Sequence, residues 1–346
     1  MWLESEATKI REGFAPESSA RAPQFHEFAA TVFERKCELG RIRSAAGRRK
    51  WKWILASHLV PEFGDIFADQ LRPADIKAWQ TKVAARIRAG TMLPSTANTI
   101  LAVLRQITGE IAADFDLRDP MRGVEQFDTR EHRTYTEEDP NSLAPADVPR
   151  FLEAMQMIFP QHFAFTFLGF ATGLRPSSLR PLRRRGPNAD VRWGDQVLLV
   201  RQSQTIGDEV MAATKTNLDQ RIHMPPELVA VLKHHVDDEL TAKAMRESDL
   251  LFPAVNGSYR TGSCLDKPFA EIAEFIGIRY PVSARAMRRT FQDLARSAGV
   301  ADIVTRAISG HATATMQQHY STVGAGEVRT GLARVIDIAT GTARAA

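Results

Sequence analysis

The sequence predicts a mainly helical protein in two parts: an all-α first domain and a second domain that mixes helices with a small antiparallel sheet. Three observations predict it. Apolar residues recur at helical spacing from Pro23 to about Phe115. A polar stretch from Gly123 to Ser142, containing Asp-Thr-Arg-Glu-His-Arg and Glu-Glu-Asp-Pro-Asn, then breaks every apolar pattern. Beyond it, four short and partly alternating segments between Val191 and Met224 are framed by longer apolar runs.

Residues 1–21 mix charges and small side chains with little periodicity and read as a loose leader. In residues 22–122, Phe25, Phe28, Ala29, Val32 and Phe33 form one apolar stripe, and Trp51, Trp53, Ile54 and Leu55 open a second. Pro73 marks a helix start. Ser95 is placed to cap a helix from Thr96 to Ala113, whose stripe is Ile100, Leu101, Leu104, Ile107 and Ile111. About four helices would make a small bundle. Residues 123–142 read as a linker that would let two domains close like a clamp.

The second domain, residues 143–346, opens with Ala-Pro-Ala-Asp-Val-Pro-Arg-Phe-Leu, a helix start. The apolar run Phe163 to Ala171 is long enough for a buried helix, which stops at Thr172-Gly173. Val191–Trp193, Gln196–Gln202, Glu209–Thr214 and Arg221–Met224 read as strands of a single sheet. Helices are expected at Pro226–Met245, Asp266–Gly277, Ala284–Ser297, Ala301–Ile308 and Ala314–Tyr320. Val328, Leu332, Val335, Ile336 and Ile338 give a last helix an apolar face.

The composition, 44% hydrophobic and 25% charged, is that of an ordinary globular chain, and no run reaches the roughly 18 apolar residues of a membrane span. No secretion signal is evident at Met-Trp-Leu-Glu-Ser-Glu, so a cytoplasmic, nucleoid-associated protein is expected. Cys37 and Cys264 are too few for a disulfide framework or a multi-cysteine metal site and read as buried or incidental thiols. The net charge of +4 permits nucleic-acid binding without requiring it. Its distribution says more. Arg41, Arg43, Arg48, Arg49, Lys50 and Lys52 form one basic cluster, and Arg180, Arg183, Arg184 and Arg185 crowd into another. Either could be a solvated face. Two such clusters in one chain point toward phosphate contacts, with Arg183 and Arg184 as the candidates from the second. Trp51 and Trp53 read as core or rim packing rather than base stacking.

The chemistry concentrates around Ile308-Ser-Gly-His311-Ala-Thr-Ala-Thr-Met-Gln-Gln-His319-Tyr320. A phenol with a pKa near ~10 is a poor nucleophile until something takes its proton or stabilises the phenolate. If its target is a phosphodiester, fixed positive charge is needed as well, because attack increases the charge on the phosphoryl oxygens. Arg175, Lys215, Arg285, Arg288 and His311 are the cations and potential cations available for Tyr320. His319, next to Tyr320, would point roughly 100° away on a helix and is set aside. The sequence shows no carboxylate cluster for a catalytic metal, and no cofactor is expected.

This ordered set resembles the tyrosine recombinases, the family of phage integrases and related DNA-breaking and rejoining enzymes. Ala171 to Leu182 looks like the family's first-arginine box, Ser283 to Gly299 like its second, and Ile308 to Tyr320 like the box that holds the nucleophile. The nine positions separating His311 from Tyr320 match as well. The resemblance implies that Tyr320 attacks a backbone phosphate to form a 3′-phosphotyrosyl link and a free 5′ hydroxyl. Arg175 and Arg288 would hold the non-bridging oxygens, Lys215 would protonate the leaving oxygen from a hairpin, and His311 would donate to the phosphate. It further implies a core-binding first domain, double-stranded DNA with a specific site as substrate, and a homo-oligomer, a tetramer on two DNA sites. The last helix would then dock on a neighbouring protomer; packing on its own domain is the alternative. An accessory directionality protein is a further candidate partner, and a membrane is not.

The sequence departs from the family at three positions. Arg285 stands where histidine is usual, and arginine cannot act as a base, so it reads as a third cation that lowers the phenol pKa by charge. Ser178 replaces an acidic residue, and Ser309 replaces a leucine. Two alternatives share the same residues: DNA relaxation of the type IB topoisomerase kind, and a DNA-binding protein impaired in catalysis.

Overall fold

The computed structural model describes residues 22–132, 140–205, 209–211, 220–311 and 313. The chain divides into two compact units, residues 1–134 and 135–346. Its architecture is mainly helical with small antiparallel sheets.

The first unit is all-α. Helix α1 (Phe25–Glu38) begins with a capping box between Gln24 and Glu27. Helix α2 (Ala45–Ile54), capped by the Ser44 side chain on the Gly47 N–H, runs through a π turn, Leu55–Leu59, into α3 (Val60–Phe63). Pro61 explains the π turn: it has no N–H to return to the carbonyl four residues earlier, so the ladder loosens ahead of it. Helices α4 (Pro73–Arg88) and α5 (Pro94–Asp114) complete the bundle. The α5 stripe of Ile100, Leu101, Leu104, Ile107 and Ile111 is wholly buried, as are Phe25, Ala29 and Val32 from α1. Phe63 joins α3 to α1 and α4 through edge and tilted contacts with Phe25 at 5.7 Å and Trp79 at 6.1 Å.

Ser95 does not cap α5. Pro94 occupies its first turn and the helix starts one residue earlier, with Leu93 at the cap. The stretch expected as a linker is tied down at its beginning. Asn98 exchanges two 2.8 Å hydrogen bonds with the Phe127 backbone, Gln80 donates to the Glu125 carbonyl, Arg105 donates to the Val124 carbonyl, and Val124 is buried. At its other end, within the second unit, Asn141 accepts from the Ser283 hydroxyl at 3.1 Å.

The second unit packs helices around one core. Helices α6 (Val148–Ile158) and α7 (Pro160–Thr172) lie side by side, and α8 (Pro176–Leu179) follows a tight turn. Strands β1 (Val191–Arg192), β2 (Val197–Val200) and β5 (Gln220–His223) form a three-stranded antiparallel sheet in the order β1-β2-β5, with Leu198 opposite Val191 and Ile222. Strands β3 (Ser203–Gln204) and β4 (Val210–Met211) pair separately, so the expected single sheet is two. Helix α9 (Pro226–His234) passes into a π turn, His235–Glu239, and α10 (Lys243–Glu247) is separate. The expected continuous helix to Met245 therefore breaks at Leu240. Three consecutive acids, Asp237, Asp238 and Glu239, oppose the negative end of the helix dipole there. Buried His235 reaches the Leu251 carbonyl at 3.1 Å. Helices α11 (Asp266–Phe275), α12 (Ala286–Ser297) and α13 (Asp302–Ser309) complete the unit. Phe151, Phe170 and Phe269 lock α6, α7 and α11 together, at 5.0 Å for the closest pair.

Candidate active site

Helix α7 ends at Gly173, which adopts the left-handed conformation at φ 62°. A Cβ there would lie 2.5 Å from the Phe291 ring, so both the turn and the close approach of α12 demand glycine. Gly169, one turn earlier, presses on Met287. The two glycines make a shallow face on α7 against which Met287 and Phe291 of α12 seat. Arg288, between them in sequence, is carried to the end of α7, where it donates to the Gly173 carbonyl at 2.8 Å. The proline after Arg175 holds that residue extended, at φ −66° and ψ 139°, and starts α8.

Arg175, Arg285 and Arg288 line one cleft of about 650 Å³, although 110 residues separate Arg175 from Arg285 in the sequence. Arg288 is buried at 3% exposure and also donates to the Ser309 carbonyl at 2.6 Å; Arg285, at the start of α12, is exposed. Arg180 and Arg289 line the cleft too, and Asp266 is its carboxylate. Neither of these arginines has a spacing signal: Arg180 reads as part of a basic run, and Arg289 as the neighbour of Arg288. Arg180 is anchored on the Gln204 side chain and carbonyl, which brings β3 against α8.

His311 does not line the cleft. It is buried beside Arg288, with Nδ1 2.8 Å from Ser309 Oγ. Burial first, and then the charges of Arg288 and Arg175, lower its pKa to about 3, so the ring is neutral at neutral pH. Gly310, left-handed at φ 68°, makes the turn between α13 and His311. Gln220 of β5 fixes that turn by donating to the Ala307 carbonyl at 2.9 Å and to the Ile308 carbonyl. Lys215 lies between β4 and β5 and is outside the described residues, as are Tyr320, the expected helix Ala314–Tyr320 and the apolar face from Val328 to Ile338. Ser178 is buried.

The two basic clusters fare differently. Arg41, Arg43, Arg48, Arg49, Lys50 and Lys52 are all exposed in the first unit, and Arg41, Arg43 and Lys50 border a cleft of about 360 Å³ between the start of α2 and α5. Lys52 also lies over the Phe33 ring at 5.8 Å. Arg184 is a correction to the sequence reading. It is buried and donates to the carbonyls of Met245, Arg246 and Ser248, closing the C-terminus of α10, so it is not available to DNA. Arg183 is half-buried, 3.9 Å from Asp249 and 3.4 Å from the Tyr259 hydroxyl. Trp51 is a core residue and Trp53 is half exposed. Cys37 and Cys264 are free, half-buried thiols. Among the described residues no group of three or more His, Cys, Asp or Glu is placed to hold a metal ion, and no helix is long and apolar enough to cross a membrane.

Comparison with known proteins places this arrangement. The Tn1549 transposon integrase, solved in complex with a circular-intermediate DNA, superposes with a TM-score of 0.70 at 18% identity, over 91% of this chain and all of its own. A lambda integrase dimer bound to a COC′ core site gives a TM-score of 0.60 at 13% identity, over 84% of this chain and 94% of that one. A lambda integrase tetramer bound to a Holliday junction gives 0.62 at 12% identity, over 88% and 79%. At these identities the likeness is one of fold. No curated protein sequence matches. The model of the phage integrase family, however, matches residues 141–326, more than half of the 346 residues and all of the unit that holds the arginine cleft except its ends. The chain belongs to the phage integrase family, the tyrosine recombinases.

Proposed function

We propose that the protein is a site-specific DNA recombinase in which Tyr320 attacks a backbone phosphate, forms a 3′-phosphotyrosyl bond and releases a 5′ hydroxyl. The observation that carries this reading is the convergence of Arg175, Arg285 and Arg288 on one cleft beside buried His311. Arg175 and Arg288 hold the two non-bridging oxygens, since a guanidinium offers paired donors and stays charged at any working pH. The carbonyls of Gly173 and Ser309 orient Arg288 before the phosphate arrives, as an electrostatic stabiliser requires. Arg285 adds charge at the rim, and Lys215 protonates the leaving 5′ oxygen. The bond energy stays in the covalent link, so rejoining requires no nucleotide.

The exposed basic face of the first unit, residues 41–52, supplies sequence-independent grip on the duplex. Residues 22–122 thus act as the core-binding domain and the segment after them as the connection across DNA in the cytoplasm. Four protomers on two DNA segments would exchange strands in pairs, with the last helix, around Val328 to Ile338, joining neighbours. The lambda integrase tetramer on a Holliday junction supports that assembly by likeness of fold. The test is a nicked suicide substrate carrying the cognate site. Wild type is expected to form a covalent protein–DNA adduct, and Tyr320→Phe none. An adduct undiminished in Tyr320→Phe, or no adduct from wild type on DNA it binds, refutes the assignment. Size-exclusion of the DNA complex separates recombination from relaxation, since a single protomer on DNA favours the latter.

A further inference from the structure

Beside the arginine cleft the second unit has another hollow, of about 670 Å³, with a different chemistry. Gly277, left-handed at φ 81°, follows the end of α11 and turns the chain back, so that Ile278 to Ser283 form the opposite wall to the helix they have just left. The α11 wall is Asp266, Ala270, Ala273 and Glu274, spaced as one helical face. The two alanines leave the space open. Its frame is pinned at both ends of the returning segment: Arg150 donates to the Ile276 carbonyl at 3.2 Å, and the Ser283 hydroxyl donates to Asn141 at 3.1 Å.

The cleft and the hollow share Asp266 and Ser283, so a group lying in one adjoins the other. Their charges differ. Five arginines line the cleft, whereas among the described residues the hollow sets Arg279 against two exposed carboxylates, Asp266 and Glu274. A phosphate is therefore drawn to the cleft and gains nothing next door. The rest of the hollow is largely apolar, with Ala273 and Val282 buried and Ile278 and Tyr280 half-buried. Burial, and then the charge of Asp147, raise the Tyr280 pKa, so that ring is neutral. Such walls match a flat, uncharged group with hydrogen-bond donors on its edge: apolar atoms and an aromatic ring serve its faces, and the carboxylates accept from its edge.

We infer that this hollow takes an unstacked nucleobase, that of the nucleotide on the 5′-hydroxyl side of the phosphate held in the arginine cleft, and that it prefers a base with an exocyclic amino group, cytosine or adenine. The inference rests on the cleavage reading above, which seats a phosphodiester on Arg175 and Arg288. Strand exchange gives the base a reason to be there. The strand carrying the free 5′ hydroxyl has to leave its own duplex before it joins another, and its first base to unstack is the one beside the break. Contact with an aromatic wall offsets the cost of unstacking. Asp266 or Glu274 accepts from the amino group, as carboxylates do from cytosine N4. A base with a carbonyl at that position sets its own partial negative charge against theirs.

The test uses the full chain and its cognate duplex. The adduct on the nicked suicide substrate first locates the break. An un-nicked duplex then carries 5-iodocytosine, opposite a mismatch, as the first nucleotide on the 5′-hydroxyl side, and ultraviolet crosslinks are mapped by mass spectrometry. They are expected at Tyr280 and its neighbours in the returning segment. 5-Iodouracil at the same place, corrected for its photoreactivity in free DNA, is expected to crosslink about fivefold less, the share of one base-edge hydrogen bond. Ala270→Trp, which fills the hollow from an exposed position of α11, is expected to abolish the crosslinks. Crosslinks outside the hollow, equal yields from the two bases, or a yield unchanged in Ala270→Trp overturn the inference and leave the cleavage reading standing when wild type forms the adduct. Crosslinks elsewhere, with an oligomer on DNA that Ala270→Trp breaks, assign the hollow to a second copy of the chain and overturn the inference as well. Failure of wild type to form any adduct refutes the cleavage reading, and the inference falls with it.

Discussion

At the scale of single residues, the site depends on how arginines are held rather than on how many there are. Arg288 illustrates this: it is nearly sealed from solvent and ties two carbonyls from elements 136 positions apart in the chain, Gly173 and Ser309. Lysine keeps the charge but offers a single ammonium, which cannot hold both carbonyls in one plane and face a phosphate as well. Arg288→Lys is therefore expected to slow cleavage by roughly 100-fold or more, the loss typical of a removed transition-state donor. It should destabilise the fold by about 1 to 3 kcal/mol, because buried acceptors lose their donor. Single-turnover cleavage and urea denaturation would check both figures, and a variant with wild-type cleavage would show that Arg288 serves the fold alone. The grouping of Arg175, Arg285 and Arg288 around one cleft was legible in the sequence through the family resemblance that singled them out, whereas His311, expected with them, is buried beside Arg288 and does not line that cleft. Arg184 was not legible. It sits between Arg183 and Arg185 in an unbroken basic run, and only the placement of α10 shows that it turns inward to three carbonyls while its neighbours meet Asp249.

At the scale of elements, apolar periodicity revealed the helices and missed their defects. The stripes of α1 and α5 are buried at the positions that helical spacing marks, since a 3.6-residue repeat has one way to bury them all. The π turns at Leu55–Leu59 and His235–Glu239 leave that repeat almost unchanged and so leave no trace in it. The pairing of β3 with β4 apart from the other strands was equally hidden, because strands of two residues carry no alternation to read. The contact that aims Arg288 belongs to this scale as well. Gly173 is at once the left-handed end of α7 and the floor under Phe291. Gly173→Ala forces an L side chain into the left-handed region, at about 1 to 2 kcal/mol, and drives its Cβ into the Phe291 ring, which adds overpacking. A total destabilisation of about 2 to 4 kcal/mol is expected, with a loss of cleavage rate greater than the loss of folded protein explains, because α12 must shift and carry Arg288 with it. Chemical denaturation and active-fraction titration would measure the two separately. A variant that is destabilised yet cleaves at the wild-type rate per folded molecule would show that the helix contact does not aim the arginine.

At the scale of the whole molecule, the second unit keeps three histidines neutral by burying them, and its stability should depend on pH accordingly. His235 and His162 are lowered to about 4, by burial first and the charge of Arg260 second, and His311 to about 3. The His162 contact agrees with the neutral form, since Arg260 donates to its Nδ1 at 2.7 Å, a bond that a protonated ring could not accept; for His235 the bond from Nε2 to the Leu251 carbonyl favours the charged ring, and burial outweighs it. In the unfolded chain each ring would titrate near 6.5. Between about 6.5 and 4 the unfolded state therefore binds more protons than the folded one. Stability is full above about 6.5 and falls with pH toward 4. For His235, which is almost wholly buried, the loss by pH 4 is on the order of 2 to 3 kcal/mol; His162, partly exposed, should contribute less. The first unit has one such histidine, His58, lowered by burial and by Arg86, so acid should weaken the second unit first. Hydrogen exchange of the full chain across this pH range would resolve the two units. His235→Gln, which can still donate to the Leu251 carbonyl but cannot titrate, should lose its share of the acid sensitivity while keeping most of its stability at pH 7.5. If that variant melts with the same pH slope as wild type, the acid response resides elsewhere. If the first unit opens before the second, burial of these rings is not what limits the protein in acid.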